Sequence, residues 1–444
     1  MKRVMINSFK LLMVSTLVAV VSLCAVYLLP TARMKVHVLK SSGIQVQEKT
    51  YPNPLWGPGG QLDGSTDSLM LREAIYDGPE SIIFKAMSVP RKEFEGEEIR
   101  RDGSSLHLFP SPEKELIADA KNLPSLSVTT YSRYWHGYLV LLKPLLCVLN
   151  YGQIRLLNMI LQIFLFSLLF YLLVLQQRRY VPSFILAFCF LTPVIFPMSL
   201  QFSTVYYIML GEMILLLKNG MSLAHPKIHA FFFCGGIATS FFELLTYPLV
   251  SLGIPLTLSL NLTPKNKVAE GNPVQKIIEC CVSWGFGYGA FWLCKWLTAS
   301  AFLEENVFSN AFHTAIYRSS TVTAAREGGL AFSVMDVLAK NIKAFGATYY
   351  FFFFAAILLV IYKLYQVAKS GEKIANRVDL ALGTAYFFVF SLPFLWYFVF
   401  SNHSYVHFWF TSRALAVSVF ALFSCFTRMI GDAGVGGNGI FPIK

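Results

Sequence analysis

LLMVSTLVAVVSLCAVYLL, residues 11–29, runs for 19 residues without a charged side chain. As a helix it crosses a hydrocarbon core of about 30 Å at roughly 1.5 Å per residue. Lys2, Arg3 and Lys10 precede it and Pro30 follows. The run is longer than a signal-peptide core of ~7–15 residues, and no small-x-small cleavage site closes it. It reads as an uncleaved anchor helix. The next hundred or so residues break with it, because 30–153 has the mixed composition of a water-facing segment.

Further along, the apolar pattern returns. Of 444 residues 55% are hydrophobic and 14% charged, against ~25% charged in a soluble domain, too few to cover a water-facing surface. Stretches of spanning length fall at 11–29, 154–175, 182–198, 202–218, 228–242, 244–260, 277–297, 346–366, 380–400 and 407–427. Pro193, Pro197, Pro248 and Pro255 interrupt the third to sixth; broken helices are tolerated at membrane depth where protein covers the freed backbone groups. The expected fold is an all-α polytopic membrane protein, a single membrane domain over 1–444. It has about ten transmembrane helices and a large first extracytoplasmic loop, 30–153, containing interfacial helices. The bundle 154–430 carries a second outer loop, 298–345, and the Gly-rich 431–444 reads as a disordered tail.

Basic residues orient this map. With the N-terminus cytoplasmic, the connectors on that side hold sixteen Lys and Arg against five acids, a surplus of 11 out of the formal +12. That is the asymmetry the positive-inside rule requires; both termini are then cytoplasmic, and a bacterial cytoplasmic membrane is the expected location. The charge marks orientation and supplies no groove for nucleic acid. From Arg33 through Arg155 the first loop holds 15 bases and 14 acids and is nearly neutral. The eight cysteines lie in or beside apolar runs without metal-ligand spacing, so neither a disulfide framework nor a zinc site is expected.

Chemistry is then sought in the outer loops. The first opens with a turn-rich stretch, 51–60, and continues with the acidic cluster Leu62-Asp-Gly-Ser-Thr-Asp-Ser-Leu-Met-Leu71 and a charged stretch, Arg91–Gly103. It closes with an aromatic segment, 131–146, in which Tyr134, Trp135 and Tyr138 suit a headgroup zone; this reads as a helix on the outer membrane surface. Arg155-Leu-Leu-Asn158 opens the next span. One anchor helix, a long outer loop with an acidic motif, a surface helix and this Arg-Leu-Leu-Asn start together resemble the GT-C superfamily of membrane glycosyltransferases. The resemblance implies polyprenyl-phosphate-linked sugars as donors, a glycan or lipid acceptor, and a first-loop acid as catalytic base. It leaves room for a divalent metal, for which no ligands can be placed. The acid carries over only to Asp63 and Asp67, without the paired-acid pattern of the protein mannosyltransferases.

One carboxylate suffices for such a transfer, since the departing phosphate already carries its charge and only the attacking hydroxyl must lose a proton. Asp67 and Asp63 are the candidate bases; Asp67 reads equally as a helix N-cap, and Asp63, before Gly64, as a turn residue. Glu243, between two apolar runs, is an ionisable group in a costly place and hence a binding candidate, or else a helix-hairpin corner residue, hydrated or hydrogen-bonded to backbone; Glu212, in mid-span, is a weaker candidate. His403, His407 and Arg413 fall in one stretch, Asn402–Arg413. A buried arginine there needs an anion, and lipid phosphate matches guanidinium bidentately; pairing with an acid such as Glu243 is the alternative. Trp135 and His136 are candidates to stack on sugar or to anchor the loop. In the second loop His313, Tyr317 and Arg318 lie near Glu304 and Glu305 and read as holding that loop. The expected activity is glycosyl transfer at the outer face. A lipid-linked glycan transporter or flippase, or a polysaccharide polymerase, is the competing expectation.

Overall fold

A computed structural model of the chain describes residues 2–48, 57–94, 96–99, 105–108, 111–264, 272–324, 328–346, 350–362 (save 352, 355 and 359), 365 and 380–430. The tail 431–444, most of the 51–60 stretch and parts of Arg91–Gly103 and of the 346–366 span lie outside the described residues.

The first span is α1 (Lys2–Val26). The loop that follows is a folded unit built from α2 (Thr31–Ser41), α3 (Gly43–Glu48), α4 (Gly64–Ile75), α5 (Ile82–Ser88), β1 (Arg91–Glu93), β2 (Gly96–Ile99), β3 (Ser105–Leu108), α6 (Pro112–Ala120), β4 (Ser127–Thr129) and α7 (Leu139–Leu146). β1 pairs antiparallel with β4, Lys92 opposite Val128, and β2 with β3. The bundle comprises α8 (Tyr151–Gln177), α9 (Val181–Phe190), α10 (Leu200–Lys218), α11 (Ile228–Phe242), α12 (Leu249–Leu262) and α13 (Pro273–Phe302). The segment after α13 carries α14 (Val307–Arg318) and α15 (Val334–Lys343), and α16 (Leu380–Val399), α17 (Ser401–Val406), α18 (Phe408–Thr411) and α19 (Leu415–Ile430) complete the bundle.

Six helical stretches among the described residues are long and apolar enough to cross a membrane: Ser8–Val26, Tyr151–Phe190, Leu200–Lys218, Pro273–Phe302, Leu380–Val399 and Phe408–Met429. Four of them turn large apolar side chains outward, as Leu17 and Val18 of α1, Phe164 of α8, Val282 and Phe286 of α13 and Phe387 and Phe398 of α16 show, while Leu200–Lys218 and Phe408–Met429 are mostly buried. Contiguous exposed apolar faces of that extent are solvated by lipid, not water. The chain is thus an all-α multi-pass membrane protein. The expected spans 182–198, 228–242 and 244–260 appear as shorter helices. Pro193 and Pro197 turn the end of the first into a 3-10 segment, Pro193–Met198. Leu245, at φ 58°, and Pro248 delay the start of α12 to Leu249.

Close packing of small residues joins α11 to α13. A Cβ on Gly236 would lie 2.1 Å from the Trp284 carbonyl, and one on Gly287 2.2 Å from that of Phe233; small residues let membrane helices approach in this way. At the other end of the bundle, Arg428 caps α12, donating to the carbonyls of Asn261 (2.9 Å) and Thr263 (2.6 Å).

Buried ion pairs bind the loop unit together. Arg72 of α4, 1% exposed, pairs with Glu115 of α6 and donates to the Lys92 carbonyl of β1. Lys35 of α2 reaches Asp77 (2.7 Å) and Asn122 (2.6 Å). The aromatic segment 131–146 differs from the expected surface helix. Only Leu139–Leu146 is helical, and Trp135 is fully buried, its Nε1 donating to the Phe291 carbonyl (2.8 Å) and its ring stacked on Phe291. The loop is seated against α13 by its aromatic residues.

Arg72→Ala leaves the Glu115 carboxylate buried and unpaired, and should cost about 3–5 kcal/mol, read as a lower thermal midpoint of the purified full chain. Arg72→Met with Glu115→Leu should recover most of that loss.

Candidate functional site

Asp63 stands at the N-cap of α4, its Oδ1 accepting from the Thr66 N–H at 3.1 Å. Just before it, the turn Pro58–Gly60 is clamped from two sides. Gly57 has φ 62°, and a Cβ there would sit 2.7 Å from the Ala344 carbonyl, so only glycine fits. The Gly59 N–H donates to the Ala344 carbonyl at 2.8 Å. From the bundle side, Arg413 Nη2 donates to the Gly59 carbonyl (2.9 Å) and its Nε to Thr192 Oγ1 (3.0 Å), while Thr192 Oγ1 also donates to Gly59 (3.1 Å). Thr192 holds a left-handed φ of 54°.

One turn beyond Asp63, Asp67 is 1% exposed and accepts four hydrogen bonds. Tyr151 Oη (2.5 Å) and the Leu200 N–H (2.9 Å) reach Oδ2; Ser199 Oγ (3.2 Å) and the Gln201 N–H (3.1 Å) reach Oδ1. A carboxylate suits the N-terminus of α10, where backbone N–H groups lack helical partners and the dipole is positive. Asp67 therefore fastens α4 to α10 and α8. It is a cap, as one of the two sequence readings had it, but of a helix 133 residues away rather than of its own.

Asp63 instead faces a cavity of about 610 Å³ between the first long loop and the end of the bundle. Gln45 of α3, Gln61, Ser65, Glu113 and Lys114 at the start of α6, and Trp409 of α18 are among the residues that line it. Ser65 Oγ donates to Glu113 Oε1 at 2.7 Å. Burial pushes the Asp63 carboxyl above its ordinary value, and Glu113's charge adds to that, against the opposing pulls of the Thr66 N–H and of Arg413 behind the turn. An acid so placed is a better proton acceptor than an exposed aspartate.

Other sequence candidates sit elsewhere or are turned inward. Arg413 is fully buried, its guanidinium 4.2 Å from the Phe202 ring centroid. Its bonds go to Thr192 and Gly59, and it is not among the cavity-lining residues; the expected meeting with lipid phosphate gives way to positioning of the Asp63 turn. Glu243 accepts from Tyr288 Oη (2.6 Å) and the Thr246 N–H (2.6 Å), closing the corner between α11 and α12. His403 donates from Nε2 to the Leu245 carbonyl of that corner (2.6 Å), and His407 lies parallel to Phe410 with centroids 5.1 Å apart. His136, 1% exposed, contacts Glu73 (3.2 Å) and the Tyr131 carbonyl (2.8 Å). As placed, neither it nor Trp135 can stack on a sugar. In the segment after α13 Arg318 donates to Asn402 (3.2 Å). Among the described residues no three His, Cys, Asp or Glu side chains gather as a metal site.

Sequence reasoning passed over Gln45, Glu113 and Trp409. Trp409 lies inside the Asn402–Arg413 stretch and was within reach; Gln45 and Glu113 join the site only through the loop's tertiary packing.

The two aspartates should separate cleanly. Asp67→Ala strands the Leu200 and Gln201 N–H groups, and should destabilise the chain by about 2–4 kcal/mol, seen in thermal unfolding. Asp63→Asn should leave the thermal midpoint nearly unchanged, because asparagine caps helices as well as aspartate.

No family model, no curated protein and no solved structure matches the chain.

Proposed function

We propose that the chain is a membrane glycosyltransferase of the GT-C kind, moving a sugar from a polyprenyl-phosphate donor to a glycan or lipid acceptor at the outer face of a bacterial cytoplasmic membrane. The observation that carries this reading is the Asp63 carboxylate on the wall of the 610 Å³ cavity, which Trp409 also lines, held by a turn that Arg413 fixes. Both termini are cytoplasmic in this reading, and α9, α11 and α12 counted separately, with the expected span 346–366, bring the crossings to about ten. The asymmetry of Lys and Arg supports that orientation.

In the reaction, the acceptor hydroxyl oxygen forms a bond to the anomeric carbon while the bond to the phosphate oxygen breaks. Asp63 takes the hydroxyl proton, and the lipid phosphate departs with the electron pair. The cavity mixes amide, hydroxyl and carboxylate groups with one aromatic wall, which suits a pyranose: hydroxyls find hydrogen-bond partners and an apolar sugar face meets the indole. Lys114 is the cation on the cavity rim, and in this reading it faces the donor phosphate in the place first given to Arg413.

A second reading, transport of a lipid-linked glycan, is favoured by one observation. Glu212 lies in mid-span on α10, 7% exposed, with neither carboxyl oxygen hydrogen-bonded, and intramembrane acids commonly mark transport pathways.

Asp63→Asn should lower sugar transfer in reconstituted vesicles about 100-fold or more. In the parent, the rate should rise with pH as the Asp63 carboxyl deprotonates, at a pH above the ordinary carboxylate value of about 4, because burial raises it. The residual rate of the variant should lack that acid limb. Full activity in Asp63→Asn, with loss in Glu212→Gln of transbilayer movement of the lipid-linked sugar, would instead support transport.

A further inference from the structure

We infer that α14 lies in the bilayer leaflet that meets the C-terminal end of α13, with Phe308, Phe312 and Ile316 immersed among lipid chains. The helix is two-faced. Val307 and Ala311 are buried against the protein, whereas Phe308, Phe312 and Ile316 are 43%, 53% and 56% exposed. Their spacing of four sets each about 40° round from the last, one row over two turns. The Phe308 and Phe312 rings run parallel within 5°. Three large apolar side chains in a row need a cover other than water.

Chain continuity identifies that cover. The membrane-spanning α13 ends at Phe302, itself 54% exposed, beyond the outward-facing Leu293 and Leu297. The Trp296 ring of α13 meets Phe308 edge-on, centroids 6.0 Å apart. Five residues of extended chain reach at most about 17 Å, so the row begins close to the end of α13. The lipid-facing side of α13 runs directly into the exposed face of α14.

Charge decides the kind of attachment. Residues 303–346 hold four acids and four bases, so attraction to anionic headgroups contributes little and the apolar row provides the binding. The segment is bolted to the bundle close to the candidate site. Asn402 of α17 donates to the Val322 carbonyl (2.7 Å), and Asn341 of α15 to that of Ser404 (2.9 Å). These bonds tie the segment that carries α14 to α17, which α18 with its Trp409 follows in the chain. This inference stands independently of the reaction proposed above.

The test places the photo-crosslinker p-benzoylphenylalanine at Phe312, at Ile316 or at His313, the last also exposed but about 100° round the helix from Phe312. The full chain is reconstituted in phosphatidylcholine vesicles, with and without phosphatidylglycerol. Phospholipid adducts at 312 and 316 should exceed those at 313 at least fivefold, and change less than twofold with phosphatidylglycerol or salt. Crosslinks mainly to a second copy of the chain, equal adducts at all three positions, or adducts only in vesicles with phosphatidylglycerol would each overturn the proposal.

Discussion

Two buried charges of opposite sign hold the long loop after α1 to the membrane bundle, and neither is neutralised by the other. Asp67 belongs to the loop and is satisfied by the bundle, through the N-terminus of α10 and Tyr151. Arg413 belongs to the bundle and is satisfied by the loop's Gly59 carbonyl and by Thr192. A buried ion without such dipoles would be prohibitively costly, so each fixes the geometry of the other part. The segment 59–67 is pinned at both ends, and Asp63 sits midway between the pins. That arrangement presents one carboxylate to a cavity while the backbone on either side is held.

The membrane character and the loop were legible in the sequence because hydropathy and charge asymmetry accumulate over many residues and need no tertiary knowledge. The acidic cluster was legible as a place of interest, but its two aspartates exchange roles only in three dimensions. Asp63 caps its own helix, a pattern readable from Thr66 three residues on, whereas the partners of Asp67 lie at Tyr151 and at 199–201. Arg413 was recognisable as a buried cation needing acceptors. That these would be a glycine carbonyl, a threonine hydroxyl and the Phe202 ring is invisible without the fold. Trp135 and His136 looked interfacial because aromatic residues after a polar loop usually are; here α13 buries Trp135, and the loop's own Glu73 and Tyr131 hold His136.

The same logic sets the division between rigid and lipid-facing parts. Glycine contacts and buried ion pairs fix α11 against α13 and α4 against α6. The segment after α13 trades its apolar row with the leaflet and its amides with α17. The cavity lies where the pinned loop meets the short helices after α16, so its walls come from segments far apart in the chain. Such a site can be altered through its supports, at Gly57 or Thr192, without touching a lining residue.

The central claim is that this cavity holds the reacting sugar beside Asp63. It is tested most directly by a cryo-electron microscopy map of the full chain in lipid nanodiscs, saturated with a short-chain polyprenyl-phosphate hexose. The account predicts density for the hexose between Asp63 and Trp409, with its phosphate toward Lys114. Ordered hexose density elsewhere, with the Asp63 cavity unchanged, would contradict it.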